Sequence, residues 1–270
     1  MRVICAVARE AGDAILRVYG DEEFGVQMKS DDSPLTRADL AAHEIIAKGL
    51  QTCAPEIPVL SEESEGINVF ERLSWSQYFL VDPLDGTKEF INRNGEFTVN
   101  IALIEKGVPM MGVVFVPVKD VMYTGDQYEG VATVTREKKM KPICVRKLNV
   151  NDLTVVSSRR HGGEALKACL NILRQKFGSI SSTTMGSSLK LCLIAEGQAD
   201  FYPRLAPTSE WDTAAAQAVV EAAGGKVVDD ELRTLKYNQK ESLLNPFFFV
   251  IGDVEYDWDS ILRKVVQARA

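Results

Sequence analysis

Histidine is almost missing from this chain: there are two in 270 residues, His43 and His161. Neither has a cysteine or a second histidine at ligand spacing, which excludes a histidine-built zinc centre and leaves both as structural residues. Cysteine is sparse too. Cys5, Cys53, Cys144, Cys169 and Cys192 are odd in number, scattered and never paired as C-x-x-C. That excludes a disulfide frame or a zinc ribbon and suits buried thiols in a reducing cytosol. No apolar run approaches the roughly 18 residues of a membrane span. The opening stretch is broken by Arg9, Glu10 and Asp13, so it lacks a secretory pattern. Positive charge is not in excess either. A net charge of −7 removes the basic face that a general nucleic-acid binder needs against phosphates. A bound metal can still invert the local field toward a small anionic substrate. The chain has no internal repeat, no low-complexity segment and no G-x-x-x-x-G-K-[ST] loop. The expectation is a soluble, cytoplasmic protein.

What is present is apolar matter, 46% of the chain, enough for one large core or two modest ones. Val3, Ile4, Val7, Ala11, Ala14, Ile15 and Val18 recur at helical spacing and predict an opening amphipathic helix. The turn-rich Lys29–Pro34 precedes a second helix through Asp39, Ile45, Ile46 and Leu50, ended by Pro55 and Pro58. Val59-Leu60 is a short apolar segment. Strand-like runs follow at Tyr78–Val81, Thr98–Glu105, Met111–Val116 and Val121–Thr124, with a hairpin turn across Ile104–Pro109. Two helices and then a meander predict helices layered on an antiparallel sheet. The basic stretch Arg136–Lys147 reads as a solvated loop or hairpin near a boundary. Beyond it strand and helix alternate: Leu153–Ser157, Glu164–Phe177, Leu189–Glu196, Asp200–Tyr202, and an alanine-rich helix Thr213–Ala223 stopped by Gly224-Gly225. This divides the chain into an N-terminal α+β portion, 1–149, and a C-terminal α/β portion, 150–270.

The chemistry concentrates in Tyr78-Phe79-Leu80-Val81-Asp82-Pro83-Leu84-Asp85-Gly86-Thr87-Lys88-Glu89-Phe90. A strand ending in this turn projects Asp82 and Asp85 into one small space, where a hard divalent cation relieves their repulsion. The bland alternative is a plain Asp-Pro and Asp-Gly turn. A calcium EF-hand is excluded, because Leu84 and Gly86 occupy its third and fifth places. Glu62 follows Val59-Leu60, so a second strand end can bring it beside Asp82; alone it reads as solvated surface. Asp212 stands where a helix begins and reads as a cap. Thr36 and Asp39 spell a capping box or a catalytic pair. Gly186-Ser187-Ser188-Leu189-Lys190 opens a helix with small residues and a lysine, a candidate anion site. Trp211 reads as packing.

Taken in order, Thr36-x-x-Asp39, Leu60-Ser61-Glu62-Glu63, Asp82-Pro83-Leu84-Asp85-Gly86-Thr87 and Trp211-Asp212-Thr213-Ala214-Ala215 resemble the inositol-monophosphatase superfamily of Mg²⁺-dependent, lithium-sensitive phosphatases. The likeness runs to about Pro246. Lys88-Glu89-Phe90, Asn94–Ile104, Gly186–Lys190 and Ala195–Arg204 resemble the bacterial 3′(2′),5′-bisphosphate nucleotidases within it. The resemblance implies a layered αβαβα sandwich. It implies that Glu62, Asp82, Asp85, Asp212 and the Leu84 carbonyl hold two or more Mg²⁺ ions, with Asp82 bridging. Thr87 and Asp39, with Glu62, would handle the attacking water. The substrate would touch Glu62, Leu84, Asp85, Gly86, Thr87 and Asp212, and also Ser187, Ser188, Lys190 and Arg204. The implied reaction releases the 3′-phosphate of 3′-phosphoadenosine 5′-phosphate, giving AMP. The rivals are action on inositol monophosphate or fructose 1,6-bisphosphate, and a catalytically silent Mg²⁺- or nucleotide-binding regulator. The partner is a small nucleotide rather than nucleic acid, no transmembrane segment is expected, and the oligomeric state is left open. Peripheral contact with the cytoplasmic face of the inner membrane belongs to relatives of this type.

Overall fold

The computed structural model describes residues 1–21, 25–29, 34–158 and 163–268. Helix α1 (Arg2–Tyr19) opens the chain and buries Ile4, Val7, Ala8, Ala11 and Ile15 along one stripe. A ribbon of β1 (Gln27–Met28) and β2 (Pro34–Leu35) leads to α2 (Arg37–Cys53). Most of the predicted turn, 30–33, lies outside the described residues, as does His161. Next come β3 (Val59–Ser61), α3 (Val69–Leu73), β4 (Gln77–Asp85), α4 (Thr87–Ile91), β5 (Thr98–Glu105), β6 (Val108–Val116), β7 (Val121–Asp126), β8 (Val131–Arg136) and β9 (Lys139–Pro142). These strands form one seven-stranded sheet in chain order, antiparallel except that β3 runs parallel to β4.

The second half contributes β10 (Leu153–Ser157), α5 (Glu164–Phe177), β11 (Ile180–Thr184), α6 (Leu189–Ala195), β12 (Phe201–Arg204), α7 (Ala214–Ala222), β13 (Lys226–Asp229), β14 (Phe248–Ile251) and α8 (Asp259–Gln267). Its five strands are ordered β11-β10-β12-β14-β13, parallel around β10 and antiparallel around β14.

Strand alternation builds the layers. In β4, Phe79 and Val81 face a core with α1 and α2, while Tyr78 and Leu80 face a second core with α6 and α7. In the other sheet, Tyr202, Phe248 and Val250 join that second core, and Phe201, Phe249 and Ile251 face α5 and α8. The result is an αβαβα sandwich, with α6 and α7 as the middle layer. Alanine makes that layer thin. Gly112 and Gly125 pair across β6 and β7, and a Cβ on either would come within 2.1–2.4 Å of the α7 carbonyls of Ala215 and Ala218.

The Arg136–Lys147 stretch begins in the β8–β9 hairpin, which turns at Glu137 and Lys138, in keeping with the loop-or-hairpin reading. Two other local outcomes differ from expectation. The two runs of strands contain edges too short to read, such as β3 and β13. Most consequential is β4. The Asp-Pro-x-Asp-Gly series suggests an end at Val81, yet pairing continues, Asp82 opposite Asn100 and Asp85 opposite Thr98. Pro83 has no N–H for the ladder, so the two carboxylates lie either side of a bulge rather than beyond the sheet.

Candidate active site

The β4 bulge sets the first two acids. Leu84 N donates to Asp82 Oδ1 at 3.0 Å, closing a tight local turn. Gly86 then takes a left-handed φ of 92° and starts α4. A side chain there would collide with Ser187 Oγ, 2.2 Å from an ideal Cβ, so glycine is required twice over. The third acid arrives from the short 3₁₀ turn ahead of α7. Asp212 Oδ2 accepts from Ser209 N at 2.8 Å, which makes it the third residue of a capping box. Capping and facing the site are therefore compatible for Asp212.

Asp82, Asp85 and Asp212 each place a carboxylate oxygen within 4.8 Å of the others. Burial pushes Asp82 well up from the ordinary carboxylate range, helped by repulsion from Glu62, Asp85 and Asp212. Asp212 is raised to about 8, by burial first and then by Asp85 and Glu62. Asp85 is raised by burial against the pull of Lys190 and the Ser188 N–H. One buried and two half-buried, mutually repelling oxygen acids are the donor set of a hard divalent cation, and the group fits one. Glu62 is nearby but turned aside. Parallel pairing of Ser61 with Val81, and Glu62 N on Val81 O at 3.0 Å, puts it beside Asp82. Its carboxylate accepts from Lys29 Nζ at 2.7 Å, and Glu63 accepts from the same ammonium at 2.6 Å. Lys29 itself follows β1 on the ribbon and gives no signal in the sequence pattern.

Thr36 and Asp39 show both of their readings at once. Asp39 Oδ2 accepts from Thr36 N at 2.7 Å as a capping box, and Asp39 Oδ1 accepts from Thr87 Oγ1 at 3.2 Å. Burial raises Asp39 to about 6, against the Thr36 hydrogen bonds. Thr87 Oγ1 also lies 3.4 Å from the Leu84 carbonyl.

The loop before α6 closes over Asp85 from the other half. Ser188 N donates to Asp85 Oδ2 at 2.5 Å, with Asn100 Nδ2 at 3.3 Å and Thr98 Oγ1 at 3.4 Å on the same oxygen. Ser188 Oγ in turn bonds Asn100 Oδ1 at 2.9 Å and Thr98 Oγ1 at 2.8 Å. Ser187 Oγ donates to the Asp85 and Glu96 carbonyls at 2.9 and 2.7 Å. Both hydroxyls are thus engaged within the protein. Lys190 is buried; burial lowers it to about 8 despite Asp85, and its Nζ donates to Ser187 O at 2.5 Å. Arg204 Nε and Nη2 donate to the Ala206 and Pro207 carbonyls at 3.1 and 2.7 Å. Asp85, Ser187, Ser188, Lys190, Arg204 and Asp212 line a cavity of about 260 Å³, with Lys88, Glu89, Met185 and Phe248.

Thr98 and Asn100 carry no role in the sequence reading. The signal was present: two buried polar residues at i and i+2, on one face of an otherwise apolar strand. Because Asn100 and Thr98 hold the Asp85 carboxylate through its Oδ2, Asn100→Ala is expected to raise the Mg²⁺ concentration for half-saturation roughly tenfold. A calorimetric Mg²⁺ titration checks this, and an unchanged midpoint would remove Asn100 from that role. His43 Nδ1 lies 2.9 Å from Ser61 Oγ, and Trp211 packs against the middle core, both structural as expected.

A sequence model of the inositol monophosphatase family matches residues 1–260. A 3′(2′),5′-bisphosphate nucleotidase CysQ from Shigella flexneri is 53% identical over 249 residues, 92% of this chain and 97% of the relative. The protein of that name from Haemophilus influenzae is 35% identical over 266 residues, 96% of this chain and 95% of its own. The crystal structure of CysQ from Bacteroides thetaiotaomicron, described as a bacterial member of the inositol monophosphatase family, superposes with a TM-score of 0.82 at 40% identity, covering 93% of this chain and 96% of that one.

Proposed function

The chain belongs to the inositol monophosphatase family, and from that premise we propose that it removes the 3′-phosphate of 3′-phosphoadenosine 5′-phosphate, yielding AMP and phosphate. One observation carries the chemistry: three carboxylates, Asp82 buried and Asp85 and Asp212 half-buried, converge at the end of a cavity whose other charged lining includes Lys88, Glu89, Lys190 and Arg204. Acids for cations and cations for anions, side by side, suit a phosphate ester. The substrate class rests on the nucleotidases that match nearly the whole chain.

Asp82, Asp85, Asp212 and the Leu84 carbonyl would hold Mg²⁺, as two or more ions, and Glu62 would join them by leaving Lys29. Metal bound there would supply an acidified water and neutralise phosphoryl oxygens. The protein's own part begins with Thr87. Its proton is committed to Asp39, so its lone pairs are free to accept from the attacking water and aim it. Asp39, raised to about 6, is matched to the task of drawing that proton away near neutral pH. Gly86 and Thr87 N–H groups would steady the phosphate oxygens as charge builds on them. No helix among the described residues is long and apolar enough to cross a membrane.

The test is phosphate release from 3′-phosphoadenosine 5′-phosphate with and without Mg²⁺, then with Li⁺ added. Mg²⁺-dependent, Li⁺-inhibited turnover is expected, with kcat/KM exceeding that for inositol monophosphate and fructose 1,6-bisphosphate. Saturable nucleotide binding without release would mark a silent binder instead.

A further inference from the structure

Three cations line the cavity beside the carboxylates: Lys88, Lys190 and Arg204. Two are fastened to the protein. Lys190 is 8% exposed and donates to Ser187 O, with Met185 O at 3.5 Å. Arg204 is 8% exposed and holds the Ala206 and Pro207 carbonyls. Their side chains are walls, fixed before any substrate arrives. Lys88 differs on every count. It is exposed on α4, its ammonium has no carboxylate or carbonyl among the described residues, and it follows Thr87 directly.

A nucleotide bisphosphate brings two phosphates. The carboxylate end serves the one to be cleaved, and the other must be neutralised away from it. A four-carbon arm ending in an uncommitted, three-donor ammonium can follow that group as it enters. We propose that Lys88 recognises the phosphate that is not cleaved, and so selects bisphosphates over monophosphates. This rests on the nucleotidase reading and deepens it.

The experiment compares 3′-phosphoadenosine 5′-phosphate with adenosine 3′-monophosphate in the Mg²⁺-loaded enzyme, for the native protein, Lys88→Met and Lys88→Arg. Loss of a charge-assisted bond to phosphate predicts a fall of about tenfold or more in kcat/KM for the bisphosphate in Lys88→Met. The monophosphate value should move less than twofold, and Lys88→Arg should keep most of the preference. Inhibition by AMP, which retains the 5′-phosphate, should weaken by a similar factor, while inhibition by inorganic phosphate stays put. Equal losses on both substrates, or unchanged kinetics and AMP inhibition, would overturn the assignment. A native protein that releases no phosphate from the bisphosphate would instead overturn the nucleotidase reading.

Discussion

Asp82→Asn is expected to cut Mg²⁺-dependent turnover by roughly a thousandfold or more while raising the melting temperature of the metal-free protein. The first effect follows from position. Asp82 is fully buried at the centre of the acid group, and removing several kcal/mol of cation-derived stabilisation corresponds to about three powers of ten in rate. The second effect has the opposite sign for the same reason. Burial and the charges of Glu62, Asp85 and Asp212 all oppose ionisation of Asp82, so the native protein bears that cost whenever no cation is bound. Asparagine keeps an oxygen to accept from Leu84 N and introduces no charge. A gain of about 1–2 kcal/mol, or roughly 3–6 °C, is expected at pH 8. Differential scanning calorimetry with and without Mg²⁺ separates the two. The native protein should be stabilised by Mg²⁺ and the variant barely. Native-like turnover in the variant, or a metal-free melting temperature well below native, would refute the assignment.

Most of the fold is legible because it is written in two periods. Helical spacing through α1 and alternation through β4 and β5 follow directly from which faces are covered, and both faces of each sheet are. What escapes is structure made by partners distant in sequence. β3 and β13 are three or four residues long and exist because neighbours complete their ladders. The extension of β4 through Pro83 is another case. Local grammar spells a turn, and pairing to Thr98 and Asn100 overrides it. At the site, Asp82 and Asp85 announce themselves through spacing, whereas Glu62 and Asp212 gain meaning only from the ordered set of motifs. The clamp of Thr98, Asn100 and Ser188 on Asp85 joins residues up to 103 positions apart, and Lys29 meets Glu62 across 33. No local pattern encodes such contacts.

The same buried acids make metal-free stability fall as pH rises, the reverse of the usual trend for paired carboxylates. In the unfolded chain aspartates ionise near pH 4. In the native chain Asp82 and Asp85 ionise later, Asp39 near 6 and Asp212 near 8. Between those limits the native state holds protons that the unfolded state has released. Stability therefore declines with rising pH, beginning above about pH 4 and ending once pH passes the folded values. One excess proton corresponds to about 1.4 kcal/mol per pH unit, so the metal-free melting temperature should drop by roughly 3 °C per unit between pH 6 and 8. Saturating Mg²⁺ should flatten or invert that slope, because a cation stabilises the ionised carboxylates it binds. Binding must then release protons and tighten with pH, about tenfold per unit for each proton displaced. Isothermal titration in two buffers of different ionisation enthalpy counts those protons directly. A metal-free melting temperature that stays level or climbs from pH 6 to 8 would mean that the acids are already ionised and balanced by a cation the protein itself supplies. Lys190, whose charge already pulls on Asp85, is the group placed to do so.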